Sequence, residues 1–326
     1  MQDSFGRRVE YLRISVTDKC NLRCVYCMPE QGLPWMTHAE ILRYEEIAEI
    51  VRVMAGMGLR SVRLTGGEPL VRRDRPRLVE MIAAIDGIED ISLSTNAVLL
   101  REHGPALKAA GINRLNISLD SLRPDRIDAI SRRPGTHEKI MDGIAAAEEL
   151  GFAPLKINAV IMRGRNDDEL EEFARMTEER PWHVRFIEVM PVGDNLDISE
   201  HEYVSSLEML QRLRRMNTLQ AVEGPPGNGP ATYFRFPNAA GTVGVITPMS
   251  HNYCDRCNRM RLTADGHLRP CLFGDVQTNL REAVRSGADL ESLIRHTLTI
   301  KPERHYLIQG QAIGSGGLRA LSQVGG

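Results

Sequence analysis

Lysine is scarce: there are five, at 19, 108, 139, 156 and 301, among 41 basic residues in 326. The positive charge is therefore mostly arginine, the better planar fork for phosphate. Asp and Glu number 43, so the formal charge is −2. That excludes a protein that grips nucleic acid through bulk charge, though not one with a local basic pocket. No run of 18 or more apolar residues occurs, so no membrane span is predicted. The stretch Met1 to Val16 carries Arg7, Arg8, Glu10 and Arg13 in place of an apolar signal core. A cytoplasmic protein is the expectation, in a compartment where structural disulfides are rare. A G-x4-G-K-[ST] phosphate loop, an H-E-x-x-H pair and a Ser-His-Asp signature are all missing, which sets aside nucleotide hydrolysis on a P-loop, zinc proteolysis and serine hydrolysis.

What is present fits a soluble globular chain: 42% apolar and 26% charged residues, long enough for about two domains or one large one. Up to about residue 190, β-rich runs alternate with helical ones. Candidate strands are Tyr11–Thr17, Ser61–Thr65, Ile91–Thr95, Arg114–Leu119, Leu155–Ile161 and His183–Glu188. Amphipathic stretches such as Glu45–Met57, Pro76–Ile85, Lys139–Leu150 and Glu169–Glu178 separate them. The alternation predicts βα units around a parallel sheet, open or an incomplete barrel, with functional groups at the carboxyl ends of the strands. The rhythm stops near residue 200. A helical stretch, Ser205–Met216, is followed by Gly224-Pro-Pro-Gly-Asn-Gly-Pro230, which reads as a linker. The expected division is a core at 1–215 and a smaller region at 216–326.

No cysteine is isolated. Cys20, Cys24 and Cys27 form one triad, and Cys254, Cys257 and Cys271 form another. Thiolates at such spacing can converge on a metal centre, although Cys is also a common buried residue. Three ligands are one short of a closed site. The fourth could be His38 for the first triad and His251 or His267 for the second, or one iron of each cluster could stay open for a small molecule.

Cys20-Asn-Leu-Arg-Cys24-Val-Tyr-Cys27, after a first strand, resembles the cluster loop of the radical S-adenosylmethionine (SAM) superfamily. Thr65-Gly-Gly-Glu-Pro69, about 40 residues on, resembles its glycine-rich methionine-binding turn. The second triad, in Cys254-Asp-Arg-Cys257-Asn-Arg259-Met-Arg261 and Leu268-Arg-Pro-Cys271-Leu-Phe-Gly274, narrows the resemblance to the GTP-cyclising family of molybdenum cofactor biosynthesis. Met190-Pro-Val-Gly193 and Ser322-Gln-Val-Gly-Gly326 are similar too.

The resemblance implies an α/β fold, an incomplete (βα)6 TIM-type barrel with a smaller cluster-binding region. It implies a lyase with two [4Fe–4S] clusters. One, on Cys20, Cys24 and Cys27, cleaves SAM to a 5′-deoxyadenosyl radical. The radical takes hydrogen from C3′ of GTP, and the sugar carbon then attacks C8. The other, on Cys254, Cys257 and Cys271, binds the guanine end. Implied SAM contacts are Tyr26, Gly67, Ser118 and Met190. Implied GTP contacts are Arg13, Arg63, Ser94, Lys156, Arg259, Met260 and Arg261, a basic ring that a triphosphate requires despite the near-neutral total.

The tail residues Gly325 and Gly326 are implied to reach the active site, although their glycines alone read as a disordered end. Ser94 stands where relatives show Thr. Implied partners are an external electron donor and cyclic pyranopterin monophosphate synthase as the next enzyme. Relatives are often homodimers, and neither nucleic acid nor membrane is expected. The competing readings are a radical SAM enzyme acting on a peptide or tetrapyrrole and a non-catalytic zinc protein.

Overall fold

The computed structural model describes residues 1–192, 200–305 and 319–325. The first half is a run of βα units. In order these are β1 (Tyr11–Ser15), α1 (Tyr44–Gly56), β2 (Ser61–Thr65), α2 (Arg75–Ala83), β3 (Asp90–Thr95), α3 (Leu100–Ala110), β4 (Arg114–Ser118), α4 (Pro124–Ser131), α5 (Thr136–Glu149), β5 (Leu155–Ile161), α6 (Leu170–Glu179) and β6 (Trp182–Glu188). All six expected strands are present, with ends shifted by a residue or two, and all pair in parallel.

The alternation along these strands fixes where the core lies. Leu12 and Ile14, Val62 and Leu64, Leu115 and Ile117, and Val184 and Phe186 are buried in one apolar cluster with the helices. In α1 the matching stripe is Ile47, Ile50, Val51 and Met54, the i, i+3, i+4, i+7 face of a helix. Each such burial contributes roughly 1.5–3 kcal/mol. The other parity carries Arg13, Arg63, Ser92, Arg114, Asn116, Lys156 and Arg185, and register aligns them: Arg13 faces Arg63, Arg63 faces Ser92, and Asn116 faces Lys156. Parallel strands buried on both faces are normally apolar throughout. Here the concave face is polar, so the sheet encloses a polar chamber.

The C-terminal region adds α7 (Ser206–Met216), β7 (Gln220–Val222), β8 (Thr232–Arg235), β9 (Thr242–Ile246), β10 (Arg259–Leu262), β11 (His267–Arg269), β12 (Thr278–Asn279), α8 (Leu280–Ser286), α9 (Leu290–Thr299) and α10 (Leu321–Val324). These strands join the same sheet, in the order β12-β11-β10-β1-β2-β3-β4-β5-β6-β9-β8-β7. The strand rhythm thus continues past residue 200: β9 pairs in parallel with β6, and β10 with β1. The sheet curves enough for Arg13 and Arg261 at one end and Arg185 and Ile246 at the other to line one cavity, yet its order stays open. It is an incomplete barrel. Residues 247–258, which carry two cysteines of the second triad, lead from one side of the opening to the other.

The segment read as a linker has a different place. Pro226 O accepts from Lys156 Nζ at 2.6 Å and Arg114 Nη1 at 3.0 Å, and Asn228 Nδ2 donates to Ser61 Oγ at 2.8 Å. Its partners are at the beginnings of β2, β4 and β5, so Gly224–Pro230 floors the barrel. Gly227 has φ +136°, and a Cβ there would collide with the Arg114 guanidinium and the Lys156 ammonium. The left-handed backbone favours glycine there.

Candidate active site

The cavity, about 230 Å³, opens at the carboxyl ends of the strands. Its upper wall begins with the loop after β1, which carries Cys20, Cys24 and Cys27. The turn after β2 lies flush on this loop. Gly67 N donates to Thr17 O and Glu68 N to Lys19 O, each at 2.8 Å. A Cβ on Gly67 would meet the Lys19 carbonyl, and Gly66 has φ +155°. The two glycines let one backbone lie directly on the other.

Two buried carboxyls flank the triad. Glu68 accepts from Leu70 N at 2.9 Å, Thr95 Oγ1 at 2.8 Å and Asn96 N at 2.7 Å; burial pushes it up to about 7. Asp120 accepts from Tyr26 Oη at 2.7 Å and Val160 N at 2.9 Å; burial pushes it up to about 6.

Burial likewise pushes the Cys20 and Cys27 thiols up to about 12 and raises Cys24. Without a metal these side chains are neutral thiols, so a centre that takes them as thiolates has to displace their protons. Among the described residues no three Cys, His, Asp or Glu side chains converge on one point as a single ion requires. An iron–sulfur cluster binds each thiolate on a different iron, so its ligands need not converge.

The second triad repeats the local turn: Cys257 N donates to Cys254 O at 3.0 Å, as Cys27 N does to Cys24 O at 2.9 Å. Cys254 and Cys257 precede β10 and Cys271 follows β11. None of the three lines the cavity itself, although Leu272, next to Cys271, does. Cys271 and Cys27 pack on the same apolar group of Val192, Phe273 and Leu321. Burial pushes the Cys257 thiol up, but the Lys301 ammonium and the Arg259 guanidinium outweigh it and hold the thiol below its ordinary range. Of the histidines considered as a fourth ligand, His38 and His251 are exposed and His267 Nδ1 faces Asp265 at 3.0 Å.

Lower in the chamber Arg13, Arg63, Arg185, Arg259 and Arg261 share the wall. Arg185 donates to Asn158 Oδ1 at 2.8 Å and Asn116 Oδ1 at 2.6 Å, and Arg63 to Ser92 Oγ at 3.2 Å, all neutral acceptors. Burial and neighbouring cations depress Arg13, Arg63 and Arg261. Arg13 is lowered by burial and by Arg261, and Arg261 is brought down to about 10 by burial and by Arg259. Lys156 is pushed down to about 6 by burial, then by Arg185, Arg114 and Arg63. Such a chamber selects a polyanion.

The tail reaches this wall. Arg261 Nη1 donates to Val324 O at 3.3 Å and also to Gly325 O, and Arg319 Nη1 pairs with Asp265 Oδ1 at 2.7 Å. Leu321 and Ser322 line the cavity. Gly325 has φ +71°, and a Cβ there would sit 2.6 Å from Thr65 Cγ2. Gly326 and Gly193 lie outside the described residues.

Of the expected contacts, Tyr26, Gly67, Ser118, Met190, Arg13, Arg63, Ser94, Arg259 and Arg261 meet at the cavity. Lys156 sits at the floor against Pro226. Met260 stands apart. Strand alternation turns its side chain away from Arg259 and Arg261 into the apolar core, opposite Leu12, where it is 0% exposed. Arg185 was not singled out, although its inward parity in His183-Val-Arg-Phe186 was the available signal.

Comparison with known proteins agrees with this geometry. Residues 14–177 match the Radical SAM superfamily and residues 182–307 match Molybdenum Cofactor Synthesis C. The fold resembles SuiB of Streptococcus suis, whose crystal structure is bound to S-adenosylmethionine, with a TM-score of 0.65 at 15% identity over 89% of this chain and 68% of that one. The chain is a radical SAM protein, a class that carries a [4Fe–4S] cluster and SAM. It is 47% identical to the GTP 3′,8-cyclases of Pelotomaculum thermopropionicum and of Moorella thermoacetica, with all of each chain covered. It belongs to the GTP 3′,8-cyclase family. Among the described residues no helix is long and apolar enough to cross a membrane.

Proposed function

We propose that this chain converts GTP to 3′,8-cyclo-7,8-dihydro-GTP, the first step of molybdenum cofactor biosynthesis. Cys20, Cys24 and Cys27 hold the SAM cluster, and Cys254, Cys257 and Cys271 hold a second [4Fe–4S] cluster that receives the guanine. What supports this is a wall of five arginines in the cavity that Cys20, Cys24 and Cys27 line, with Arg259 two residues from Cys257. Cluster and SAM, when bound, supply a 5′-deoxyadenosyl radical, the oxidant that no side chain provides.

The chain's own residues bind, orient and exclude water. The backbone of the Gly66–Gly67 turn and the Glu68 carboxyl suit the methionine end of SAM, and Tyr26, Ser118 and Met190 its remainder. Arg13, Arg63, Arg185, Arg259, Arg261 and Lys156 neutralise a triphosphate of about four negative charges. Each charge-assisted bond fixes the sugar relative to the first triad, where orientation sets the rate. The tail closes the chamber against water, with small residues where the walls are narrow. The chain works in the cytoplasm as a core (1–215) and a C-terminal region (216–326). It takes electrons from an external donor and passes product to cyclic pyranopterin monophosphate synthase.

The test is incubation of reduced protein with SAM and GTP without oxygen. Cyclised nucleotide with matching 5′-deoxyadenosine is expected. Deoxyadenosine that is indifferent to GTP, with no cyclised product, overturns the proposal.

A second expectation concerns protons. Lys156, pushed down to about 6, is neutral above that pH until a polyanion arrives and restores its charge. GTP binding at pH 7 to 9 should then take up a proton, and affinity should fall by up to about tenfold per pH unit. Calorimetry in buffers of different ionisation heat measures this. Uptake that survives Lys156→Met removes Lys156 from the account.

A further inference from the structure

Two of the five lysines are buried, and one, Lys301, has no part in the chemistry above. It lies just beyond α9 and is 3% exposed. Its ammonium has three donors and three acceptors: Pro270 O at 2.6 Å, Arg259 O at 3.0 Å and Cys257 Sγ at 3.5 Å. Each acceptor is on a stretch that matters. Cys257 is a ligand of the second triad, Pro270 precedes Cys271, and Arg259 opens β10 and aims its guanidinium into the chamber. No carboxylate pairs with Lys301 among the described residues. A buried cation without a counter-anion is costly. An anionic thiolate-ligated centre beside it offsets that cost.

We propose that Lys301 is a positioning residue for the second cysteine triad: one buried ammonium holds the Cys257 and Cys271 stretches together and, by donating to a ligand sulfur, makes the centre they hold easier to reduce. This rests on the reading that this triad binds an iron–sulfur cluster. Hydrogen bonds to ligand sulfurs and nearby positive charge raise cluster potentials. A compact ammonium can meet a sulfur and two carbonyls at one point, whereas a planar guanidinium spreads its donors.

The test uses full-length, anaerobically reconstituted protein carrying Cys24→Ser, so that cluster signals come from the second triad. Against this background Lys301→Met is expected to lower the midpoint potential in an EPR-monitored redox titration. The lowering should match a roughly tenfold weaker reduction equilibrium, about 59 mV for one electron. Iron loss to a chelator should quicken about tenfold. Lys301→Gln keeps a neutral donor and should give a smaller shift in the same direction; it also reads the effect if the Met variant holds no cluster. Unchanged midpoints in both variants overturn the proposal. Absence of iron and sulfide from the Cys24→Ser protein itself overturns the second-cluster reading along with it.

Discussion

Cys24→Ser should abolish 5′-deoxyadenosine formation, a loss on the order of 10³-fold or more, whereas Cys257→Ser should stop cyclisation yet leave part of the SAM cleavage running without product. The difference follows from position. Cys24 lines the chamber between Cys20 and Cys27, and burial already makes its free thiol hard to ionise. Removing it leaves two thiolates where three are the minimum. Cys257 lies behind the chamber wall, reaching it through Arg259 and, via Cys271, through Leu272. On the proposed function its loss would slacken the seat for the purine without touching the Gly66–Gly67 turn or Tyr26. Quantifying deoxyadenosine and cyclised nucleotide in the same reaction separates the two. Equal loss of both in both variants would mean that the triads do not have separate tasks.

Glu188→Ala should cost the protein roughly 3–5 kcal/mol, a large share of the 5–15 kcal/mol by which domains are stable. Glu188 ends β6 and is 0% exposed. One oxygen accepts from Ser206 N at 2.7 Å, Tyr203 Oη at 3.1 Å and Ser250 Oγ. The other accepts from Met249 N at 2.9 Å and Ser250 N at 3.0 Å. The single carboxylate thus ties the barrel to the start of α7 and to the segment that leads to Cys254. Alanine strands five donors, each costing about 1–3 kcal/mol where water does not replace the acceptor. Urea unfolding of the iron-free chain measures the loss; a change under about 1 kcal/mol would show that the segment is held elsewhere. Glu188→Gln, which retains one accepting oxygen, should fall between.

Much of this was legible beforehand because it is local. β-rich runs marked the six strands, and the triads and the Thr65–Pro69 turn marked the mouth, since strand propensity and ligand spacing are written in consecutive residues. What was missed depends on residues far apart. Thr242–Ile246 and Arg259–Leu262 are short, and nothing near them says that they flank β6 and β1. Gly224–Pro230 has a linker's composition; that it floors the barrel depends on Arg114 and Lys156, encoded more than 60 residues earlier. Met260 was placed with its neighbours by motif, when parity alone would have separated it. Arg185 was legible by that same rule.

The inside-out polarity of the sheet also bears on how the protein could change. The apolar contacts that hold it folded lie on the convex side of the strands, and the chamber-lining side chains lie on the concave side, where Arg114 and Lys156 also grip the Gly224–Pro230 floor. Substitutions among the chamber-lining side chains should therefore exact little in thermal endurance. Trading guanidiniums for amides or hydroxyls there would even relieve mutual repulsion. A scaffold so arranged can be retuned to smaller or less charged guests one strand position at a time, with its load-carrying side left untouched.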